Sequence, residues 1–170
     1  FHGGLVGVGI AIVWFARRHR LPFLPVADAI ASVAPVGVMF GRLANFVNGE
    51  LWGRPSDVPW AMVFPNGGPF SRHPSQLYEA ALEGLVLLAI VQVLYRTERL
   101  RRRPGLVSGA FLFGYGITRL VIENFREPDA HIGFLAGGST LGQWLTVPML
   151  ALGTYLILRT LRTTERDKDG

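Results

Sequence analysis

Apolar residues fall into five long runs separated by stretches dense in proline, glycine or arginine, a pattern that predicts five membrane-spanning helices. Phe1 to Ala16 is apolar apart from His2 and stops at Arg17-Arg18-His19-Arg20. At that length it falls short of the roughly 20 residues that cross a bilayer. Phe23 to Phe46 is interrupted by Pro25, Asp28 and Pro35, so it reads as a kinked helix packed on neighbours. A third helix is expected from Ser75 to Tyr95, with Gln76, Glu79 and Glu83 at i, i+3 and i+7 on a face turned toward protein. The fourth, from Leu106 to Phe125, sets Tyr115, Arg119 and Glu123 at i, i+4 and i+8, and Arg126 continues that face. The fifth runs from Thr140 to Leu158 around Pro148.

Two loops stand out between these runs. Residues 50–74 carry five prolines and Gly67-Gly68, with a short strand expected through Trp60-Ala61-Met62-Val63-Phe64, and residues 127–139 form a second Pro/Gly-containing loop. The expected fold is all-α, a polytopic membrane helix bundle forming one integral domain over 1–170.

Composition sharpens this picture. The chain of 170 residues is 49% hydrophobic with mean hydropathy +0.32, more apolar than an ordinary soluble domain. Its net charge of +5 is concentrated: segments 17–20, 96–103 and 159–170 hold twelve of the 17 basic residues. Each cluster ends an apolar run, which fits positive-inside topology better than nucleic-acid binding. Phe1 is therefore expected outside and Gly170 in the cytoplasm, which puts both Pro/Gly loops on the outer face. No cysteine is present, excluding disulfides, thiolate metal sites and a cysteine nucleophile on this chain. No cofactor fingerprint or metal-ligand spacing is present either.

The candidate chemistry lies in Gly41-Arg42-Leu43-Ala44-Asn45-Phe46-Val47-Asn48-Gly49-Glu50-Leu51-Trp52-Gly53. Arg42, Asn45 and Gly49 share one helical face by spacing, and the glycines let the backbone turn away near that face. A guanidinium with amides one turn away suits a phosphate or carboxylate, because its planar fork bonds two oxygens at once. The same pattern also fits an arginine held by a buried glutamate. An arginine at membrane depth costs about 2.5–3.5 kcal/mol on insertion scales, so Arg42 and Arg119 are each kept for a partner or a function. Glu79, Glu83 and Glu123 are the candidate structural partners. His2 can accept a proton near neutral pH, Tyr115 can orient a phosphate, and Arg126 can hold a headgroup at the outer boundary or complement Glu123.

This thirteen-residue run resembles the signature of the bacterial prolipoprotein diacylglyceryl transferases, G-R-x-[GA]-N-F-x-N-x-E-x-x-G, with Ala44 as one of the two allowed small residues. Three further stretches agree: Phe1-His2-Gly3-Gly4-Leu5; His73-Pro74-Ser75-Gln76-Leu77-Tyr78-Glu79; and Gly114-Tyr115-Gly116 through Arg119, Glu123 and Arg126-Glu127-Pro128-Asp129. In that family the first of these motifs normally lies well inside the protein, so the chain reads as an N-terminally truncated piece. Its first apolar run lacks the basic leader and the small-residue cleavage site of a signal peptide.

The resemblance implies transfer of a diacylglyceryl group from phosphatidylglycerol to the lipobox cysteine thiol in the signal-peptide region of a preprolipoprotein, at the outer face of the bacterial cytoplasmic membrane. It implies His2, Arg42 and Arg119 as catalytic residues. Arg42, Asn45, Glu50, Gly53, Tyr115, Glu123 and Arg126 would bind substrate, with no metal or other cofactor. Two other readings remain at this level: a lipid or anion transporter with an arginine-lined site, and a noncatalytic assembly subunit.

Overall fold

The structure, a computed structural model, describes residues 2–127 and 141–166. Helices dominate. α1 runs His2–Arg18 and α2 Phe23–Val47; a hairpin of β1 (Met62–Val63) and β2 (Ser71–Arg72) follows. Then α3 (Ser75–Glu79) passes through a π-helical stretch (Ala80–Val86) into α4 (Leu87–Arg96), one continuous rod. A short α5 (Glu98–Arg101) leads to α6 (Leu106–Ile122), and α7 covers Leu141–Arg166. Phe23–Val47, Ser75–Arg96 and Gly142–Arg162 are long and apolar enough to cross a membrane, while Leu106–Ile122 is a shorter apolar helix.

The chain tolerates its prolines for separate reasons. Pro25 sits in the first turn of α2, where the missing N–H has no intrahelical acceptor. Pro35 lies inside the helix and loosens the bonding of the preceding turn. One residue on from the Ala31 carbonyl that Pro35 leaves without its helical donor, the Gln92 side-chain amide donates to the Ser32 carbonyl at 2.8 Å, tying α4 to this turn.

α2 is the central rod, packed against α1, the 75–96 rod and α6, while α6 lies along α7. Close approach depends on glycines at the helix contacts. A Cβ on Gly84 would come within 2.5 Å of the Met39 Cβ, and one on Gly153 within 2.9 Å of the Gly109 carbonyl oxygen. Gly109 thus lies at a close helix contact, whereas Gly4 and Gly7 have open space around them. Ala31, Leu87, Val91, Val107 and Tyr115 form the buried core. Large apolar side chains such as Ile10, Val33, Phe40, Val93, Val121 and Leu152 face outward, as lipid-facing positions do.

Several boundaries differ from the sequence reading: α1 continues to Arg18 and α7 to Arg166, and three differences bear on the polar end. α6 stops at Ile122 because Glu123, Asn124 and Phe125 close into a tight turn, so Arg126 stands beyond the helix. α2 ends at Val47, leaving Gly49 outside the helical face, at φ 66°. The strand expected over 60–64 contracts to Met62–Val63, paired with Ser71–Arg72.

The connections sort the charges. α1 ends and α2 begins at Arg17–Arg20, α4 ends and α6 begins around Arg96–Arg103, and α7, antiparallel to α6, carries Arg159 and Arg162 to the same end. The polar motifs collect at the opposite end.

Candidate active site

Three helices deliver the site. The last turns of α2 present Arg42, the start of the 75–96 rod presents Gln76, Glu79 and Glu83, and α6 presents Tyr115 and Arg119. A π-helical turn has more residues than an α turn, so the widened stretch keeps Glu79 and Glu83 on the side facing α2. Both carboxylates are fully buried.

Glu79 is the hub. Its Oε2 lies 3.3 Å from Arg42 Nε, and its Oε1 accepts from Arg119 Nη1 at 2.8 Å with Arg126 Nη1 at 3.6 Å. Arg42 also reaches Glu83 Oε2 at 3.4 Å and hydrogen-bonds Tyr115. Arg119 reaches Glu123 Oε2 at 3.2 Å. Among the described residues, three guanidiniums and three carboxylates thus form one connected cluster, balanced in charge. Buried charges survive in an apolar bundle only when paired in this way. Burial, together with the neighbouring Arg119 charge, pushes the Arg126 guanidinium below its ordinary value.

An extended platform closes the outer side. Gly53 N–H donates to the His73 carbonyl at 2.9 Å and His73 N–H to the Arg54 carbonyl at 3.0 Å. Arg54 N–H and its Nε donate to the Phe125 and Arg126 carbonyls, each at 2.9 Å. Gly53 must be glycine here, since a Cβ would lie 2.5 Å from the Phe125 oxygen and 2.7 Å from His73. Gln76 Nε2 donates to the Glu50 carbonyl at 2.7 Å and Ser75 Oγ to the Leu51 carbonyl at 3.2 Å, tying this loop to α3. Arg72 fixes the hairpin by donating to the Gly67 and Gly53 carbonyls and pairing with Glu127.

Of the residues singled out by sequence, Arg42, Tyr115, Arg119, Glu123 and Arg126 come together, and Gly53 joins them through its bridge to Arg126. Asn45 and Glu50 stand at the exposed rim, bonded to each other at 2.9 Å. Hydrogen bonds from Asn45 and Asn48 hold the Glu50 carboxyl below its usual value. His2 opens α1, its side chain outside what is described, and Pro128 and Asp129 lie outside the described residues. The sequence reading named Glu79 and Glu83 only as possible ion-pair partners, and it missed Arg54 and Arg72 altogether. The His-Pro-Ser-Gln-Leu-Tyr-Glu stretch was the signal available for Glu79; loop arginines bonded to carbonyls leave none.

Beside the cluster a cavity of about 530 Å³ runs between α1, α2, α6 and α7. Small residues such as Gly4, Ala27, Ala31 and Ala34 line it together with Phe111 and Tyr115. Tyr115 therefore joins an apolar chamber to the guanidinium cluster.

Residues 1–159 match the family model for prolipoprotein diacylglyceryl transferase. A phosphatidylglycerol–prolipoprotein diacylglyceryl transferase of Rhodospirillum rubrum is 62% identical over 159 residues, covering 93% of this chain and 58% of that protein. Proteins of the same name from Allorhizobium ampelinum and Agrobacterium fabrum are 57% and 54% identical, covering 95% and 97% of this chain. The chain spans 57% and 59% of those two relatives. With the match running through every element that builds the cluster, the chain belongs to the prolipoprotein diacylglyceryl transferase family.

Proposed function

We propose that this chain carries the phosphate-binding core of an enzyme that moves a diacylglyceryl group from phosphatidylglycerol to the lipobox cysteine of a preprolipoprotein. It acts as one integral domain of the bacterial cytoplasmic membrane, with its site toward the outer face and its C-terminus in the cytoplasm. The observation that carries this reading is the convergence of Arg42, Arg119 and Arg126 on the single carboxylate of Glu79. Guanidiniums already assembled in a low-dielectric setting stabilise a developing phosphate charge with little reorganisation.

In the reaction the cysteine sulfur forms a bond to the glycerol carbon of the lipid as the carbon–oxygen bond to phosphate breaks, and glycerol phosphate leaves with the electron pair. Arg42 and Arg119 hold the phosphate and leaving group, and His2 serves as base or thiol-orienting group. Tyr115, Glu123 and Arg126 shape the headgroup site, with Asn45, Glu50 and Gly53 at its entrance. An acyl chain fits the apolar cavity beside Tyr115. The positive clusters at the opposite end support the orientation.

The test is diacylglyceryl transfer to a lipobox peptide by the full chain, compared with Arg42→Lys and Arg119→Lys. Lysine keeps the charge and loses the bidentate fork, so turnover should fall about 10²–10³-fold while the fold persists. Unchanged turnover in both variants removes them from the mechanism. A transporter would instead show flux in liposomes without a covalent product.

A further inference from the structure

Among the described residues the cluster is balanced in charge before any substrate arrives. Arg42, Arg119 and Arg126 are matched by Glu79, Glu83 and Glu123, all in a setting where surplus charge is costly. A phosphodiester brings one further negative charge. None of the three carboxylates can swing into water to make room, since Glu79 and Glu83 are wholly buried and Glu123 is 5% exposed. Neutrality on binding then requires one carboxylate to take up a proton.

The three differ in how strongly their charge is held. Glu79 has three guanidiniums within 3.6 Å. Glu123 has Arg119 at 3.2 Å and Gly142 of α7 packed against its carboxylate, where a Cβ would stand 2.8 Å from Oε1. Glu83 has a single long contact of 3.4 Å from Arg42 to Oε2, and its buried Oε1 has no hydrogen-bond partner among the described residues; Glu79 Oε2 and Glu123 Oε2 lack one too, but those are the atoms that face Arg42 and Arg119. The π-helical stretch packs on α2 and α6. The charged or titratable groups facing Glu83 are accordingly Arg42 from α2, Arg119 and Tyr115 from α6, and Glu79 on its own rod. A lone buried acceptor is a defect in the ionised site and becomes a donor once that oxygen is protonated.

We infer that Glu83 takes up a proton from water when a phosphodiester anion binds the arginine cluster, and returns it when the phosphate departs. This rests on the reading of the substrate as phosphatidylglycerol. Coupling of one proton to one anion makes affinity fall as pH rises, approaching tenfold per pH unit once Glu83 is ionised in the empty site. Glu83→Gln carries the charge of the protonated form, so its binding should lose this slope and be at least as tight as the native protein at high pH.

The experiment titrates short-chain phosphatidylglycerol into the full chain in phosphatidylcholine nanodiscs across about pH 5 to 9, native against Glu83→Gln. A sloping native profile with a flat variant profile supports the inference. Equal slopes, or a flat native profile, overturn it. If the variant fails to fold, infrared difference spectra of the native protein decide: a protonated-carboxyl band must appear on lipid addition, and its absence overturns the coupling. Transfer to a lipobox peptide, run in parallel, tests the substrate reading separately. If the lipid neither binds nor reacts, that reading fails, and dimethyl phosphate, a phosphodiester that stays a monoanion across this range, serves as the anion probe. Proton uptake with that probe sustains the coupling, and no uptake, or no binding, ends it.

Discussion

At the basic end of the bundle, Asp28 is buried at 4% exposure and accepts from Gly105 N–H at 2.7 Å, Ser108 N–H at 2.8 Å and Ser108 Oγ at 2.7 Å. At the other end, Glu79 and Glu83 are equally buried but held by guanidiniums from other helices. Asp28 caps the first turn of α6 from across the bundle, where backbone donors and the helix dipole both favour a negative charge. Those donors cannot move without unwinding a helix. Arginine side chains can rearrange around an incoming anion, and the Glu83 Oε1 left over in the cluster marks unused capacity. One buried carboxylate is a fastener; the other set has the makings of a site.

The comparison can be broken most severely at its hub. Glu79→Ala removes the carboxylate shared by three arginines and should cost about 3–5 kcal/mol, read by denaturant unfolding in detergent. A loss under about 1 kcal/mol would mean the arginines find other partners and the hub is misassigned. Asp28→Ala comes next. It strands two backbone N–H groups at the other end and should cost about 1–3 kcal/mol, with transfer per folded molecule unchanged because the arginine cluster is untouched. A drop in turnover per folded molecule would show that the two ends are coupled.

Smaller effects sharpen the contrast at the rim. Gly53→Ala forces the 53–54 segment off Phe125 and His73, costing about 1–2 kcal/mol and speeding amide exchange at Gly53, Arg54 and His73 while the Asp28 end stays protected. The least disruptive probe is pH. The folded value of Glu50 is depressed, so the turn it makes with Asn45 and Asn48 is present above the unfolded carboxylate value and loosens as pH falls through the folded one. Carboxyl titration by NMR should place Glu50 below an ordinary glutamate, and Asn45→Ala should move it back upward.

The helices themselves were legible because apolar runs in a chain this hydrophobic leave little other choice. Even so, α6 ended early at a turn that periodicity does not encode, and Arg126 left the helical face to bridge Gly53. Asp28 read only as an interruption in an apolar run, since its partners lie almost eighty residues away.

Sequence alone determined that the chain belongs among membrane helices, that its arginines and glutamates are too costly there to be incidental, and which family motifs they compose. The tertiary structure decided which carboxylate each arginine meets. Spacing along one helix fixes only a face, whereas Glu79 draws Arg42 from α2, Arg119 from α6 and Arg126 from the turn beyond it, and that choice depends on how the helices are rotated against one another.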